Sequence, residues 1–367
     1  MIKQPQYKIA LVGDSLSEGG AERVQARLSL FFHSKGVEVH HIIVRDLVTY
    51  QYAGILFNMG KLKKESNSFS NRVGRFAALR KYLKKNQFNY IIDFRVKNRF
   101  LQEFLITRLL YKAPYVMTIR SFNTDYYFPK NNKLAKAIFK NAYGLVTVSK
   151  ALQKHVEHEF GYKNVTTIYN PLFTKEIEEN ASSDKIFDFD YLVGIGRFHD
   201  IKQFDHLIRA YAASEAASKG IKLVLVGDGE DKFKLTKLAN DLEVSKDVEF
   251  VGQKKNPFPY LKQGLFTVLC SKNEGFPNVL IESLACGTPV VAYDCESGPN
   301  EIISNEVNGL LVKNQDIEAM TKAINRMLVE KELYQKCVSN AKSSIARFDA
   351  ENIGNDWLEF LNIPVNS

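Results

Sequence analysis

In the second half of the 367-residue chain, Arg197 directly follows the run Tyr191-Leu-Val-Gly-Ile-Gly196, and Lys202 lies five positions further on. Two cations at the carboxyl end of a strand and beside a helix start suit a diphosphate, since helix amides add to their charge. Taken singly, each is more often a solvated surface charge. The run Leu265 to Cys270 is followed by Asn273-Glu274-Gly-Phe-Pro-Asn-Val-Leu-Ile-Glu282. Pro277 suits the first turn of a helix, whose leading amides can then meet an anion or a sugar hydroxyl. Glu274 falls in the loop and Glu282 in the early turns, so the two carboxylates are placed for different work. A carboxylate accepts hydrogen bonds in pairs from adjacent hydroxyls, which both a sugar ring and a ribose diol offer. The plainer readings are an exposed loop acid and a residue stabilised by the helix dipole.

These residues need a scaffold, and the chain supplies two. Apolar runs at Ile9 to Val12, Val37 to Val44, Tyr90 to Phe94, Tyr115 to Ile119 and Leu145 to Ser149 alternate with stretches of helical period. Runs apolar on both faces, separated by helices, predict a doubly wound parallel sheet. After Asn170-Pro171 comes the acidic stretch Thr174 to Asp190, which lacks both periodicities and reads as a linker. The alternation restarts at Tyr191 to Gly196, Lys222 to Val226, Val248 to Val251, Leu265 to Cys270 and Pro289 to Tyr293. The expected organisation is an α/β chain: residues 1–172 as one Rossmann-like domain, 173–190 as linker and 191–348 as a second. Residues 349–367 form a helix that caps the second domain or crosses back to the first. Two such halves in tandem place a cleft between them.

Length and composition agree with two soluble domains. Apolar residues make up 45% and charged residues 25% of the chain, the ordinary globular balance. The N-terminal stretch lacks the core of an export signal, and no apolar run reaches the roughly 18 residues of a membrane span. The expected location is the cytoplasm. Cys270, Cys286, Cys295 and Cys337 show no metal-binding spacing and read as reduced packing thiols. The net charge of +9 is uneven: residues 61–140 hold nineteen Lys and Arg against four Asp and Glu. That excess of fifteen fits solvated helix faces, an anionic membrane or nucleic acid.

The segment Glu274-x7-Glu282, with Gly196-Arg197-Phe-His-Asp-Ile-Lys202, Val226-Gly-Asp-Gly-Glu, Phe250-Val-Gly and Gly19-Gly-Ala-Glu-Arg23, resembles the retaining glycosyltransferases of family 4. The likeness covers nearly the whole chain in order. It implies the GT-B fold of two facing Rossmann-like domains. It also implies that Glu282 binds the nucleotide ribose and Glu274 the donor-sugar hydroxyls, while Arg197 and Lys202 neutralise the diphosphate. Amides of Phe276, Asn278 and Val279, around Pro277, would approach the sugar and phosphates. Val251-Gly252-Gln253 would lie against the base. Gly19 and Gly20 would open a helix and bring backbone close to the donor phosphate or the acceptor; a plain tight turn is the alternative. Family members often carry a histidine where this chain has Arg120-Ser121-Phe-Asn123. Arg120 then supplies charge beside the sugar or pairs with Asp125.

The implied reaction is transfer from a nucleotide diphosphate-sugar, expected to be UDP-linked, with front-face attack and no covalent enzyme intermediate. Neither cofactor nor metal is expected. Asp188-Phe-Asp190 has the D-x-D spacing of metal-dependent transferases but precedes a strand and reads as linker. A glycosidase would leave Arg197 and Lys202 without a role, and a sugar-nucleotide epimerase shares the fold. Binding to nucleic acid would require aromatic and basic residues interleaved on a recognised module, and Phe94-Arg95 to Arg99-Phe100 is too slight. Lys61-Leu-Lys-Lys64 and Arg80-Lys-Tyr-Leu-Lys-Lys85 alternate cations with apolar residues, which suits an anionic lipid interface. The expected acceptor is a saccharide on polyprenyl diphosphate, at the inner face of the membrane, in surface-polysaccharide assembly.

Overall fold

The computed structural model describes residues 7–17, 19–64, 68–97 and 99–364. The chain divides into two compact units, Met1–Pro171 with Ala350–Ser367, and Leu172–Asp349.

The first unit is a seven-stranded parallel sheet. Its strands are β1 (Lys8–Gly13), β2 (Glu38–Ile43), β3 (Ile55–Asn58), β4 (Tyr90–Asp93), β5 (Tyr115–Ile119), β6 (Gly144–Thr147) and β7 (Val165–Thr167). They lie in the order β3-β2-β1-β4-β5-β6-β7. The second unit is a six-stranded parallel sheet of β8 (Tyr191–Ile195), β9 (Lys222–Val226), β10 (Val248–Gly252), β11 (Thr267–Leu269), β12 (Val290–Asp294) and β13 (Gly309–Lys313). Its order is β10-β9-β8-β11-β12-β13. Both sheets share one winding: the first strand sits centrally, the next two extend to one side, and the fourth starts the other side. Connections therefore diverge between β1 and β4, and between β8 and β11. A crevice opens outside the carboxyl ends of strands at such a reversal, and ligands of doubly wound sheets bind there.

Central strands such as Leu223-Val-Leu225 are fully buried because helices cover both faces. In the first unit the helix Gly20–Ser34 buries Val24, Leu28, Phe31 and Phe32 at helical spacing against Ile9, Leu11 and Ile92. The helix Ala350–Phe360 adds Ile353, Trp357 and Leu358 to that same core. Gly354 makes this packing possible, since a Cβ there would collide with the Phe31 ring.

One expectation needs correction. Residues 174–180, read as linker, form the helix Thr174–Asn180, with Ile177 wholly buried, and the whole stretch belongs to the second unit. A seven-residue helix with one buried anchor is too short to show a period.

His41, on β2, is fully buried, its Nδ1 3.2 Å from Gln25 Nε2. Burial brings its pKa down from 6.5 to about 4, with a minor contribution from His40 and an opposing backbone hydrogen bond. The folded unit therefore refuses a proton that the unfolded chain accepts below pH 6.5. Stability is full above that pH and falls as the pH drops from 6.5 towards 4, by up to about 3 kcal/mol. Melting curves of the native chain and His41→Gln should show an acid-side loss that is smaller in the variant. Parallel losses in the two proteins would refute this account.

Candidate functional site

The second unit gathers its chemistry around the reversal between β8 and β11. Beyond β8, Gly196 leads into Arg197, whose side chain is exposed and makes no hydrogen bond or ion pair among the described residues. A short turn, Asp200–Lys202, follows, capped by His199, whose Nδ1 accepts from the Ile201 amide. The turn aims Lys202 at the loop after β11, where its Nζ lies 2.5 Å from Glu274 Oε1. The Lys272 amide donates to the Ile201 carbonyl at 2.8 Å, joining the two loops through the backbone. The lysine and glutamate read separately from the sequence thus form one charged pair, with Glu274 only 12% exposed.

Glycines let the loops approach. A Cβ on Gly227 would collide with the Gly196 carbonyl, and one on Gly229 with the Phe198 backbone. Gly252 ends β10 at φ +73°, a conformation open chiefly to glycine. Gln253 beyond it is exposed.

The helix after Glu274 runs Asn278–Ala285, with Pro277 one place before it and no side-chain cap at its start. Glu282 is its fifth residue and 6% exposed, on the face shared with half-buried Asn278 and Val279. The Phe276 ring packs edge-on against Phe348, 5.3 Å between centroids, so only its backbone is available to a ligand. Ser297 and Gly298, not singled out from the sequence, hold this loop. Ser297 Oγ donates to the Gly275 carbonyl at 2.7 Å, and Gly298, at φ +99°, has no room for a Cβ against Pro277. The readable signal was Gly298-Pro299, a turn glycine before a proline at a helix start. A cavity of about 380 Å³ borders the same two loops, lined by Asp200, Asp205 and Asp231 together with His199, Lys234 and Lys272.

In the first unit Gly19 caps the helix Gly20–Ser34. The space a Cβ on Gly19 would fill is taken by the Glu22 carboxylate, whose pKa is raised by burial. Arg120, beyond β5, does not pair with Asp125. Its guanidinium donates to Asn170 Oδ1 at 2.5 Å and lies over the Phe94 ring. Burial brings it down to about 10, with Tyr127 and Glu22 opposing, so it stays charged at neutral pH. Asn123 caps the turn Thr124–Tyr126 by accepting from the Asp125 amide. Asp93, Arg95, Lys97, Glu103 and Tyr111 form a buried polar cluster at the end of β4. Arg95 donates to both carboxylates, at 2.7 Å to Asp93 and 2.9 Å to Glu103. Burial alone would raise the Asp93 carboxyl, yet the neighbouring Arg95 and Lys97 hold it below its ordinary value.

Asp188 is fully exposed beside Lys185, and among the described residues no three His, Cys, Asp or Glu lie close enough to hold a metal. All four cysteines are free, and burial pushes Cys286 and Cys295 up to about 12. No helix among the described residues is long and apolar enough to cross a membrane. On the helix Phe69–Asn86, Leu79 and Leu83 face the core. Of the apolar partners expected to accompany Lys81, Lys84 and Lys85 at a lipid surface, Leu83 is therefore buried and Tyr82 half-buried. Leu62, within the Lys61–Lys64 cluster, and Val73, on the same helix, are exposed, as are Leu101, Leu105 and Leu109.

The Glycosyltransferase Family 4 model matches residues 18–176, and the Glycosyl transferases group 1 model continues over 176–344. The chain is a family 4-like glycosyltransferase. A Campylobacter jejuni protein named N-acetylgalactosamine-N,N'-diacetylbacillosaminyl-diphospho-undecaprenol 4-alpha-N-acetylgalactosaminyltransferase is 28% identical over 365 residues, covering 96% of this chain and 99% of its own. The amylovoran biosynthesis glycosyltransferase AmsD of Erwinia amylovora is 23% identical, covering 97% and 100%. Among solved structures, Anabaena HepE in complex with UDP and glucose superposes with a TM-score of 0.79 at 18% identity, over 97% of this transferase and 100% of HepE. The transferase has the two parallel-sheet units of the GT-B fold.

Proposed function

We propose that this glycosyltransferase moves a hexose or N-acetylhexosamine, with retention, from a UDP-sugar to a saccharide on polyprenyl diphosphate at the inner face of the cytoplasmic membrane. Its place is in the assembly of a surface polysaccharide or glycan. The observation that carries the reading is the Lys202–Glu274 pair, with unpaired Arg197 beside it, at the β8–β11 reversal. The Campylobacter relative named for a diphospho-undecaprenol acceptor supports the acceptor, and HepE, solved with UDP, supports the donor.

In this reading Glu282 holds the ribose diol, Glu274 accepts from the sugar hydroxyls, and Gly252 and Gln253 lie against the base. As the bond from the anomeric carbon to the diphosphate oxygen breaks, negative charge grows on the departing nucleoside diphosphate and positive charge on the sugar. Arg197, Lys202 and the leading amides of the helix Asn278–Ala285 are fixed where the negative charge appears and lower the barrier. The acceptor hydroxyl attacks from the face that the diphosphate leaves and passes its proton to the leaving phosphate. Gly19 and Gly20 bring backbone close to the donor phosphate or the acceptor, Arg120 supplies charge beside the transferring sugar, and Asn123 contributes to substrate binding. The exposed cations Lys61, Lys63, Lys64, Lys84 and Lys85 meet anionic headgroups, each worth about 1 kcal/mol.

A panel of UDP- and GDP-sugars, read by nucleotide release, tests the donor; release from a UDP-sugar should persist in excess EDTA. Loss in EDTA, restored by Mn²⁺ and abolished by Asp188→Ala, would transfer the chemistry to a metal. For the membrane, sedimentation with anionic vesicles should weaken with salt and with glutamate at positions 63, 64, 84 and 85. Indifference to anionic vesicles would remove the membrane from the proposal.

A further inference from the structure

The first unit holds a cavity of about 580 Å³ outside the carboxyl ends of β1 to β4, at its own reversal point. Residues from the end of each strand or the loop after it reach the wall: Val12, Ile42, Met59 and Arg95. Gly60 lets the loop after β3 close on the loop after β2, since a Cβ there would collide with the Asp46 backbone. The size falls within the range of small-ligand sites.

Its charge is one-sided. Arg45, Lys63, Arg72, Arg75, Arg95 and Arg99 line it, and Asp46 is the single acid among the lining residues. Asp46 already accepts from Asn58 Nδ2 at 2.6 Å. Arg95 is saturated by Asp93 and Glu103. The other five cations form no ion pair among the described residues. Arg75 is the most telling of them: one guanidinium nitrogen reaches the Val44 carbonyl at 3.4 Å, while its buried Nε has no hydrogen-bond partner among the described residues. A buried donor left unpaired is destabilising, and an anion in the cavity would offset that cost. Five convergent cations exceed what one carboxylate would balance and suit two adjacent phosphates.

One wall is the helical stretch 100–110. Gln102 and Ile106 face the cavity, whereas Leu101, Leu105 and Leu109 stand on a solvent-exposed stripe at helical spacing. An anion-binding cavity thus adjoins an apolar face.

We infer that this cavity binds the diphosphate of the acceptor's isoprenoid carrier, with Arg72, Arg75 and Arg99 as phosphate ligands and the leucine stripe beside the hydrocarbon chain. The inference rests on the proposed acceptor class and adds the place where its diphosphate is held.

The test is calorimetric titration of the full chain, with UDP present, using farnesyl diphosphate and, separately, inorganic diphosphate. Farnesyl diphosphate should bind more tightly than inorganic diphosphate, and Arg72→Ala/Arg99→Ala should weaken it at least about tenfold. The double variant should retain its affinity for UDP, which certifies the fold. A charge-matched control, Lys133→Ala/Lys140→Ala, whose lysines are exposed and absent from the cavity wall, should bind both probes normally. Unchanged binding in the cavity variant, or an equal loss in the control, would overturn the site. Equal affinity for the two probes would overturn the isoprenoid half. Because neither probe is a sugar donor, a failed nucleotide-sugar panel would reject the proposed reaction and leave this result readable.

Discussion

Arg197→Ala is expected to lower kcat by about 10²-fold or more while leaving the melting temperature nearly unchanged. The two halves of that expectation have separate causes. Arg197 is exposed and makes no hydrogen bond or ion pair among the described residues, so its removal opens no buried cavity and strands no polar partner. Its proposed value lies in the charge it offers a departing diphosphate, and removing one preorganised group of this kind costs about 2.7 to 4 kcal/mol of barrier. Lys202→Ala is a less clean experiment, because it also leaves Glu274, 12% exposed, without its cation. Initial rates at saturating donor, set beside a thermal melt, decide the matter. A folded Arg197→Ala protein with near-normal turnover would end the assignment of this arginine to the leaving group.

The largest loss of stability should follow Arg95→Leu. Asp93 and Glu103 are both buried, and both depend on the same guanidinium. Removing one partner of a buried ion pair costs about 3 to 5 kcal/mol, because the remaining charges stay in a poor solvent. Two carboxylates would be stranded here, although Lys97 stays 3.5 Å from Asp93 and softens the effect. Replacing Asp93, Arg95, Lys97 and Glu103 together with apolar residues of similar volume, so that no buried charge is left without its partner, should cost much less. Trp357, the only tryptophan, lies in the core of the first unit, so its fluorescence during urea unfolding reads the right transition. A midpoint unchanged in Arg95→Leu would show that the cluster contributes little.

Much of the scaffold was legible because a buried parallel strand is written as an unbroken apolar run. Leu223-Val-Leu225 and Ile9 to Val12 leave little alternative. The strands β3, β7 and β13 were not read, for reasons visible in their residues. β3 is only half-buried and ends in a polar Asn58, β7 is the three residues Val-Thr-Thr, and β13 begins at a glycine. Edge strands need less apolar surface and carry a weaker pattern.

At the site, spacing was enough to single out Arg197, Lys202, Glu274 and Glu282, since each follows a strand or opens a helix. What spacing could not express was mutual contact. The Lys202–Glu274 pair joins residues 72 positions apart, and the support from Ser297 and Gly298 arrives from a third loop. The basic region shows the opposite failure. Composition marked residues 61–140 correctly as cationic, but a one-dimensional reading counted Leu83 on the outside. It also passed over Arg72, Arg75 and Arg99, which converge only once β2, β3 and β4 lie side by side.

The helix Ala350–Phe360 has a consequence for synthesis. The first unit is discontinuous in the chain, with the whole of Leu172–Asp349 interposed before its final helix. As the polypeptide leaves the ribosome, the second unit is complete once residue 349 has emerged. The first must wait longer, with Phe31, Phe32 and Val24 lacking their cover of Ile353, Trp357 and Leu358. The half translated earliest is thus the half finished last, and its open apolar face is a hazard of the nascent state. Residues 172–349 can be expressed as one continuous piece, whereas the basic half can be isolated only by joining residue 171 to residue 350.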